Sequence, residues 1–167
     1  MEYNDIYDQE RCLTGRVHRR GTRWKAGEYG LVVCVWVYDG EGNMLLTRRA
    51  PGKSFAGTWE NSGGAAKAGE DSLTGAIREA EEEVGVRLDP AQGRLVNITV
   101  RECFQDIKDD WLFLYDGPID LRNATTDEVA DMRWMSVEEI RKLYDAGELV
   151  HTLGYFFDDP ELGGTAT

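Results

Sequence analysis

Between Gly64 and Val86 the chain reads GAAKAGEDSLTGAIREAEEEVGV, and within it Glu79, Glu82 and Glu83 fall on one helical turn beside Arg78, with Glu70 eight residues upstream of Arg78. Like charges three and four residues apart destabilise an isolated helix by roughly 0.2–0.5 kcal/mol per pair, so this face calls for a counter-ion. A hard divalent cation supplies one. Mg2+ takes oxygen ligands in an octahedron and keeps several waters, which leaves positions for phosphate oxygens and an attacking water, and Mn2+ suits the same ligands. The chemistry open to such a site is metal-assisted hydrolysis of a diphosphate: the cation offsets the anionic charge and acidifies a bound water held in line with phosphorus. The plainer alternative is a solvated acidic helix face.

The carboxylates need a helix to hold them. Asp71 or Ser72 is a fitting N-cap and Gly85 suits a left-handed helix end, so the spacing predicts a helix over Leu73–Val84. Leu73, Ala76, Ile77, Ala80 and Val84 share one stripe, and the three glutamates occupy an adjacent face. Upstream, NMLLTRRAPGKSFAGTWENSGG reads as an apolar strand, a basic turn and a short returning strand. Arg48, Arg49 and Lys53 are the cations of this turn; on a chain of net charge −12 they are candidates for phosphate contacts, with surface solubilisation as the alternative. Trp59 either stacks on an organic group of the substrate or packs under the loop.

The glycines, Glu70, the Arg78-Glu79 pair, Glu82-Glu83 and Val86 together resemble the Nudix box of hydrolases that cut a diphosphate attached to an organic group. The resemblance implies that Glu79, Glu82 and Glu83 bind metal, with the backbone carbonyl of Gly63 joining them, and that Gly64 permits the sharp loop there. It implies an internal Arg78–Glu70 pair that orients a catalytic carboxylate, with one of Glu79, Glu82 and Glu83, or an acid from a distant loop, as general base. Glu128, six residues before Trp134, matches a loop glutamate of several family members; a solvated loop acid is the other reading. Ala80 departs mildly, since larger aliphatics are commoner there.

The segments YDQERCLTGRVHRRG, VWV, RRAPGK and W-x-x-SGG are similar to the Nudix branch related to isopentenyl-diphosphate isomerase. Trp59-Glu60-Asn61-Ser62 holds no cysteine, and the only histidines are His18 and His151, so the resemblance implies hydrolysis rather than isomerisation. The expected activity is cleavage of a nucleoside diphosphate derivative or related organic pyrophosphate. An isomerase-like enzyme and a non-catalytic nucleotide-sensing module are the alternatives.

With 167 residues, 41% hydrophobic and 30% charged, the chain is long enough for one domain, 1–167, with a sizeable core. No apolar run of membrane-spanning length and no secretory signal is visible, so the cytoplasm is the expected location. The acidic balance argues against a nucleic-acid polymer or an anionic membrane as partner. Cys12, Cys34 and Cys103 fit reduced thiols, with Cys34 expected in the core. Glu2–Asp8 and Gly15–Arg20 predict an N-terminal hairpin carrying an exposed His18. Further strands are predicted at Leu31–Tyr38, Met44–Thr47, Leu95–Phe104, Trp111–Tyr115 and Met132–Met135. Ser136 and Glu139 predict a capping box for a last helix through about Ala146, and Asp158–Thr167 is expected to fray. Strands flanked by two helices suggest an α/β class with a mixed β-sheet between helices, matching the α/β/α sandwich that the resemblance implies. Dimers are frequent among the proteins it resembles, so a homodimer is an expected assembly.

Overall fold

Alternating β-branched residues from Leu31 onward build the strand around which everything else is arranged. In the computed structural model, which describes residues 1–164, the N-terminal hairpin is β1 (Tyr3–Tyr7) and β2 (Leu13–Arg19), followed by β3 (Gly30–Tyr38), β4 (Asn43–Arg49), β5 (Trp59–Glu60) and β6 (Ser62–Ala65). Helix α1 (Ser72–Val84) leads to β7 (Gly93–Arg101), β8 (Asp106–Leu114) and β9 (Val129–Ser136), and α2 (Val137–Asp145) precedes a 3-10 segment, His151–Phe157. The main sheet runs β5-β4-β3-β8-β7, with β6 also paired to β3 and β9 to β4. Only β3 and β8 pair in parallel; the other pairs are antiparallel.

Alternation along β3 sends Val33, Val35 and Val37 to one face, where they pack with Ala76, Ala80 and Val84 of α1. Trp36 points to the other face and meets Ile140 of α2 and Phe156 of the 3-10 segment. The result is the expected α/β/α sandwich with a mixed sheet and an N-terminal hairpin. Among the described residues no helix is long and apolar enough to cross a membrane.

Three expectations need correction. Strand β8 begins at Asp106, not Trp111, because its charged start is paired: Asp109 is gripped by Arg11 at 2.5 Å, Arg101 holds Asp106, and Tyr155 donates to Asp110 at 2.6 Å. Strand β7 correspondingly stops at Arg101, and the chain turns through a positive φ of 51° at Gln105. The tail does not fray over Asp158–Gly164: Leu162 is buried and the Gly163 amide donates to the Phe156 carbonyl at 2.9 Å. Residues 165–167 lie outside the described residues.

Candidate active site

Helix α1 is set by local chemistry at both ends. The Asp71 carboxylate accepts from the Thr74 amide at 2.7 Å, and Gly85 closes the helix at φ 69° with its amide bonded to the Ala80 and Glu81 carbonyls. With Ala80 fully buried against the sheet, Glu79, Glu82 and Glu83 line a groove of about 250 Å3. Residues of β6 together with Thr126 and Glu128 complete the lining, as do Glu2, Arg20 and Lys67. A second recess, about 210 Å3, adjoins it across Gly63, Gly64, Glu83 and Glu128 and contains Cys34, Arg49, Glu60 and Asn61.

The two glycines of β6 have a physical purpose. A Cβ on Gly64 would lie 2.5 Å from Glu79 Oε1, and one on Gly63 would lie 2.3 Å from the Val33 carbonyl oxygen. At Gly63 a side chain would run into the backbone of β3, and at Gly64 it would displace the end of the Glu79 side chain.

Arg78 organises the acids. It donates to both oxygens of Glu70 at 2.6 and 3.0 Å, to Glu79 at 2.9 Å, to Glu82 at 3.1 Å and to the Ala65 carbonyl at 3.2 Å. Burial raises the Glu70 carboxyl, but Arg78 and the Lys67 amide outweigh it and hold the group below its ordinary value. Burial raises Glu79 despite Arg78. Glu83 has no arginine partner. Burial and the neighbouring Glu79 charge push it up to about 8, opposed by a Gly63 amide at 3.3 Å. Three acids thus share one groove with less positive charge than they need.

Residues 28–153 match the NUDIX domain family. The chain belongs to the Nudix family. An uncharacterised Nudix hydrolase of Listeria monocytogenes is 32% identical over 160 residues, covering 94% of this chain and 91% of that protein. Nudix hydrolase 3 of Arabidopsis thaliana is 30% identical over 153 residues, covering 84% of this chain and 20% of that protein. Among solved structures, DR0079 of Deinococcus radiodurans superposes with a TM-score of 0.70 at 20% identity, covering 89% of this chain and 92% of its own. A bifunctional NMN adenylyltransferase/ADP ribose pyrophosphatase of Francisella tularensis superposes at 0.59 and 20% identity, over 77% of this chain and 39% of its own. The protein is a Nudix hydrolase.

In this Nudix chain the structure brings Gly63, Arg78, Glu79, Glu82, Glu83 and Glu128 to one groove, with Glu70 behind Arg78. The basic turn divides. Arg49 reaches the recess, though paired with Glu60 at 2.5 Å and donating to the Ser54 carbonyl at 2.6 Å, and Lys53 pairs with Glu128 at 3.3 Å. Arg48 lines neither cavity; it is turned to the Gly57 carbonyl at 3.1 Å. Trp59 is 7% exposed in the α2-side core, with Arg133 5.3 Å from its ring, so packing replaces the stacking reading.

Other positions differ from the sequence reading or were missed by it. Cys34 is half-buried and lines the recess instead of sitting in the core; burial pushes its thiol up to about 12. His18 is buried and stacked on Trp24, not exposed. Lys67 lies inside the box itself, four residues after Gly63, so its nearness to the acids was readable. Arg20 reaches the groove only because the hairpin packs against the start of β3 and the loop after β6, where Tyr7 pairs with Tyr29 and the Asn4 amide donates to the Ala66 carbonyl at 2.7 Å, for which no local signal exists.

Among the described residues no three acidic, histidine or cysteine side chains close on a single point as a ready-made metal cage. The donors are all oxygens on a cleft, and the glycine-lined wall lets the Glu79 carboxylate lie close against β6. That arrangement fits a hard cation which keeps much of its own water, and does not fit a fully enclosed structural metal.

Proposed function

We propose that this Nudix hydrolase cleaves the diphosphate linkage of a nucleoside diphosphate derivative or related organic pyrophosphate with Mg2+, for which Mn2+ can substitute. The observation that carries this reading is the convergence of Glu79, Glu82 and Glu83 on one glycine-walled groove with Glu83 lacking a cationic partner. Glu79, Glu82, Glu83 and the Gly63 carbonyl would hold the cation. When bound, it would neutralise diphosphate charge and supply an acidified water. The Francisella structure holds AMP and manganese, which supports a nucleotide and a divalent ion as the ligand pair.

The chain's own residues account for the rest. Arg78 keeps Glu79 and Glu82 in place from behind, so a change at Arg78 or Glu70 acts through those carboxylates. Glu82 or Glu128 takes the proton from the attacking water, both lining the same groove. Arg49, Lys53, Lys67 and Arg20 are the cations around the two cavities and would meet the phosphate oxygens, exchanging carboxylate partners for substrate.

The test is phosphate release, coupled to a phosphatase, across nucleoside diphosphate sugars, dinucleoside polyphosphates, nucleoside triphosphates and isopentenyl diphosphate, with and without Mg2+. Magnesium-dependent turnover is expected, reduced roughly 10²–10⁴-fold by Glu82→Gln or Glu83→Gln in a folded protein. Near-wild-type rates in both variants would remove the assignment. Silence across the panel with tight nucleotide binding would favour a sensor.

A further inference from the structure

We infer that the groove between strand β2 and the loop that follows it is a second anion site, separate from the acidic groove, and that it takes a small molecule carrying two or more phosphate groups. This site needs no metal, so it stands independently of the hydrolase reading above. Charge is spread unevenly along the chain. From Arg11 to Gly27 the cations are Arg11, Arg16, Arg19, Arg20, Arg23 and Lys25 and there is no acid, although the whole chain holds 31 Asp and Glu and a net charge of −12. Arg16, Arg19, Arg23 and Lys25, all exposed, border a concavity of about 560 Å3 whose apolar part is Ile6 and Val17.

The groove has no counter-ion of its own to spare. Its one acid, Glu28, is buried and already paired with Arg16 at 2.5 Å. Arg19, Arg23 and Lys25 form no ion pair among the described residues. Three like charges gathered on one concavity repel one another, and an anion between them removes that cost. The walls are already braced: the Gln105 amide donates to the Lys25 carbonyl at 2.7 Å, the Thr22 hydroxyl to the Arg19 carbonyl at 2.7 Å, and the Glu28 carboxylate accepts from the Lys25 amide at 3.3 Å. Binding then orders side chains alone, which lowers its entropic cost.

The class of ligand follows from the shape and lining. The volume falls within the ~300–1,000 Å3 of small-molecule sites. Three of the four bordering cations are arginines, whose planar forks hold phosphate oxygens in pairs. Strand β2 bulges around Gly15, at φ 75°, since Asp5 pairs with Val17 but Tyr7 with Leu13; this blunts the edge against an added peptide strand. No Phe, Tyr or Trp lines the groove, and His18 is already stacked on Trp24 at 3.6 Å, so the bases of a nucleic acid find no platform. The acidic remainder of the surface repels a polyanionic polymer or membrane, whereas a compact anion meets only the charges within a Debye length, about 8 Å.

Calorimetric titration with inorganic tripolyphosphate in EDTA tests the site, because without a divalent ion the carboxylates of the acidic groove repel that probe. Tripolyphosphate is expected to bind at least roughly tenfold more tightly than orthophosphate at equal ionic strength. Arg19→Gln with Arg23→Gln should weaken it at least roughly tenfold, the scale of losing one hydrogen bond to a charged group. Arg87→Gln with Arg122→Gln, an equal loss of charge at other exposed positions, should leave it unchanged. All four arginines are exposed, so the variants keep the fold. No binding in EDTA, or equal weakening by both pairs of substitutions, overturns the inference. So does weakening by Arg20→Gln with Lys67→Gln in place of Arg19 and Arg23, which would put the anion in the acidic groove. Mg2+-dependent phosphate release is read separately: its absence with tripolyphosphate binding intact removes the hydrolase reading alone, and turnover without tripolyphosphate binding removes this site alone.

Discussion

Glu83 is the residue at which burial, charge and position meet. With its carboxyl raised from the ordinary 4.5 to about 8, the protonated form favours the fold. That stability is fully present below about 4.5 and is lost as pH rises through about 8. In protein stripped of divalent ions by a chelator, Glu83→Gln should therefore raise the melting temperature at pH 9 by on the order of 5 °C and change little at pH 4. Scanning fluorimetry at both pH values checks it; equal shifts at the two would mean the charge is not the cause. Glu128 makes a different prediction. It sits on the loop wall, with Lys53 as its partner, so Glu128→Gln should lower turnover at least tenfold while the Mg2+ concentration for half-activation moves little. A main effect on metal affinity would instead make it a ligand. Trp59 shows how a residue type can mislead at this scale, because an indole serves core and ligand equally well and only burial separates the two.

At the scale of the element, α1 was legible because everything that forms it is local: a cap, an apolar stripe and a terminal glycine. The Asp71 carboxyl is held below its ordinary 3.8 by the Thr74 amide and hydroxyl. Its contribution is therefore present above about 3.8 and lost as pH falls through the lower folded value. Asp71→Ala should cost about 1 kcal/mol at neutral pH, with the gap to wild type closing in acid. Urea denaturation at pH 7 and pH 2.5 reads both. Gly85→Ala should cost more than about 1 kcal/mol, because it places a side chain at φ 69° and its Cβ 2.5 Å from the Asn123 Cβ. Strand β8 was illegible for the converse reason. Asp106, Lys108, Asp109 and Asp110 fall between two predicted strands, yet all four are buried in the sheet, where Arg101 pairs with Asp106, Lys108 with Asp110, and Arg11 and Tyr155 reach Asp109 and Asp110 from distant segments.

Across the whole molecule Asp109 is a junction. It is fully buried and receives Arg11 from the hairpin turn, 98 positions away, and Ser72 from the start of α1. Ser72 in turn accepts from the Trp111 indole at 2.8 Å. One carboxylate therefore ties hairpin, acidic helix and sheet together. Removing its guanidinium leaves a buried charge uncompensated, so Arg11→Ala should destabilise by about 3–5 kcal/mol. Arg11→Lys should restore part of that in the same denaturation assay, and a loss below about 1 kcal/mol for Arg11→Ala would show that the junction is dispensable.

What the sequence determined by itself was the acidic helix, its glutamates, the glycines beside it and the class of fold, because caps, periodicity and turn residues act over a few positions and leave their pattern in the chain. The tertiary structure alone decided that Arg20 stands over the groove, that Trp24 lies against Gly30, that Cys34 opens into the recess and that four charged residues form the start of a buried strand. Those arrangements depend on contacts that no local pattern encodes, such as Arg11 and Tyr155 reaching the start of β8, whose energy exists only once the sheet has brought them within reach.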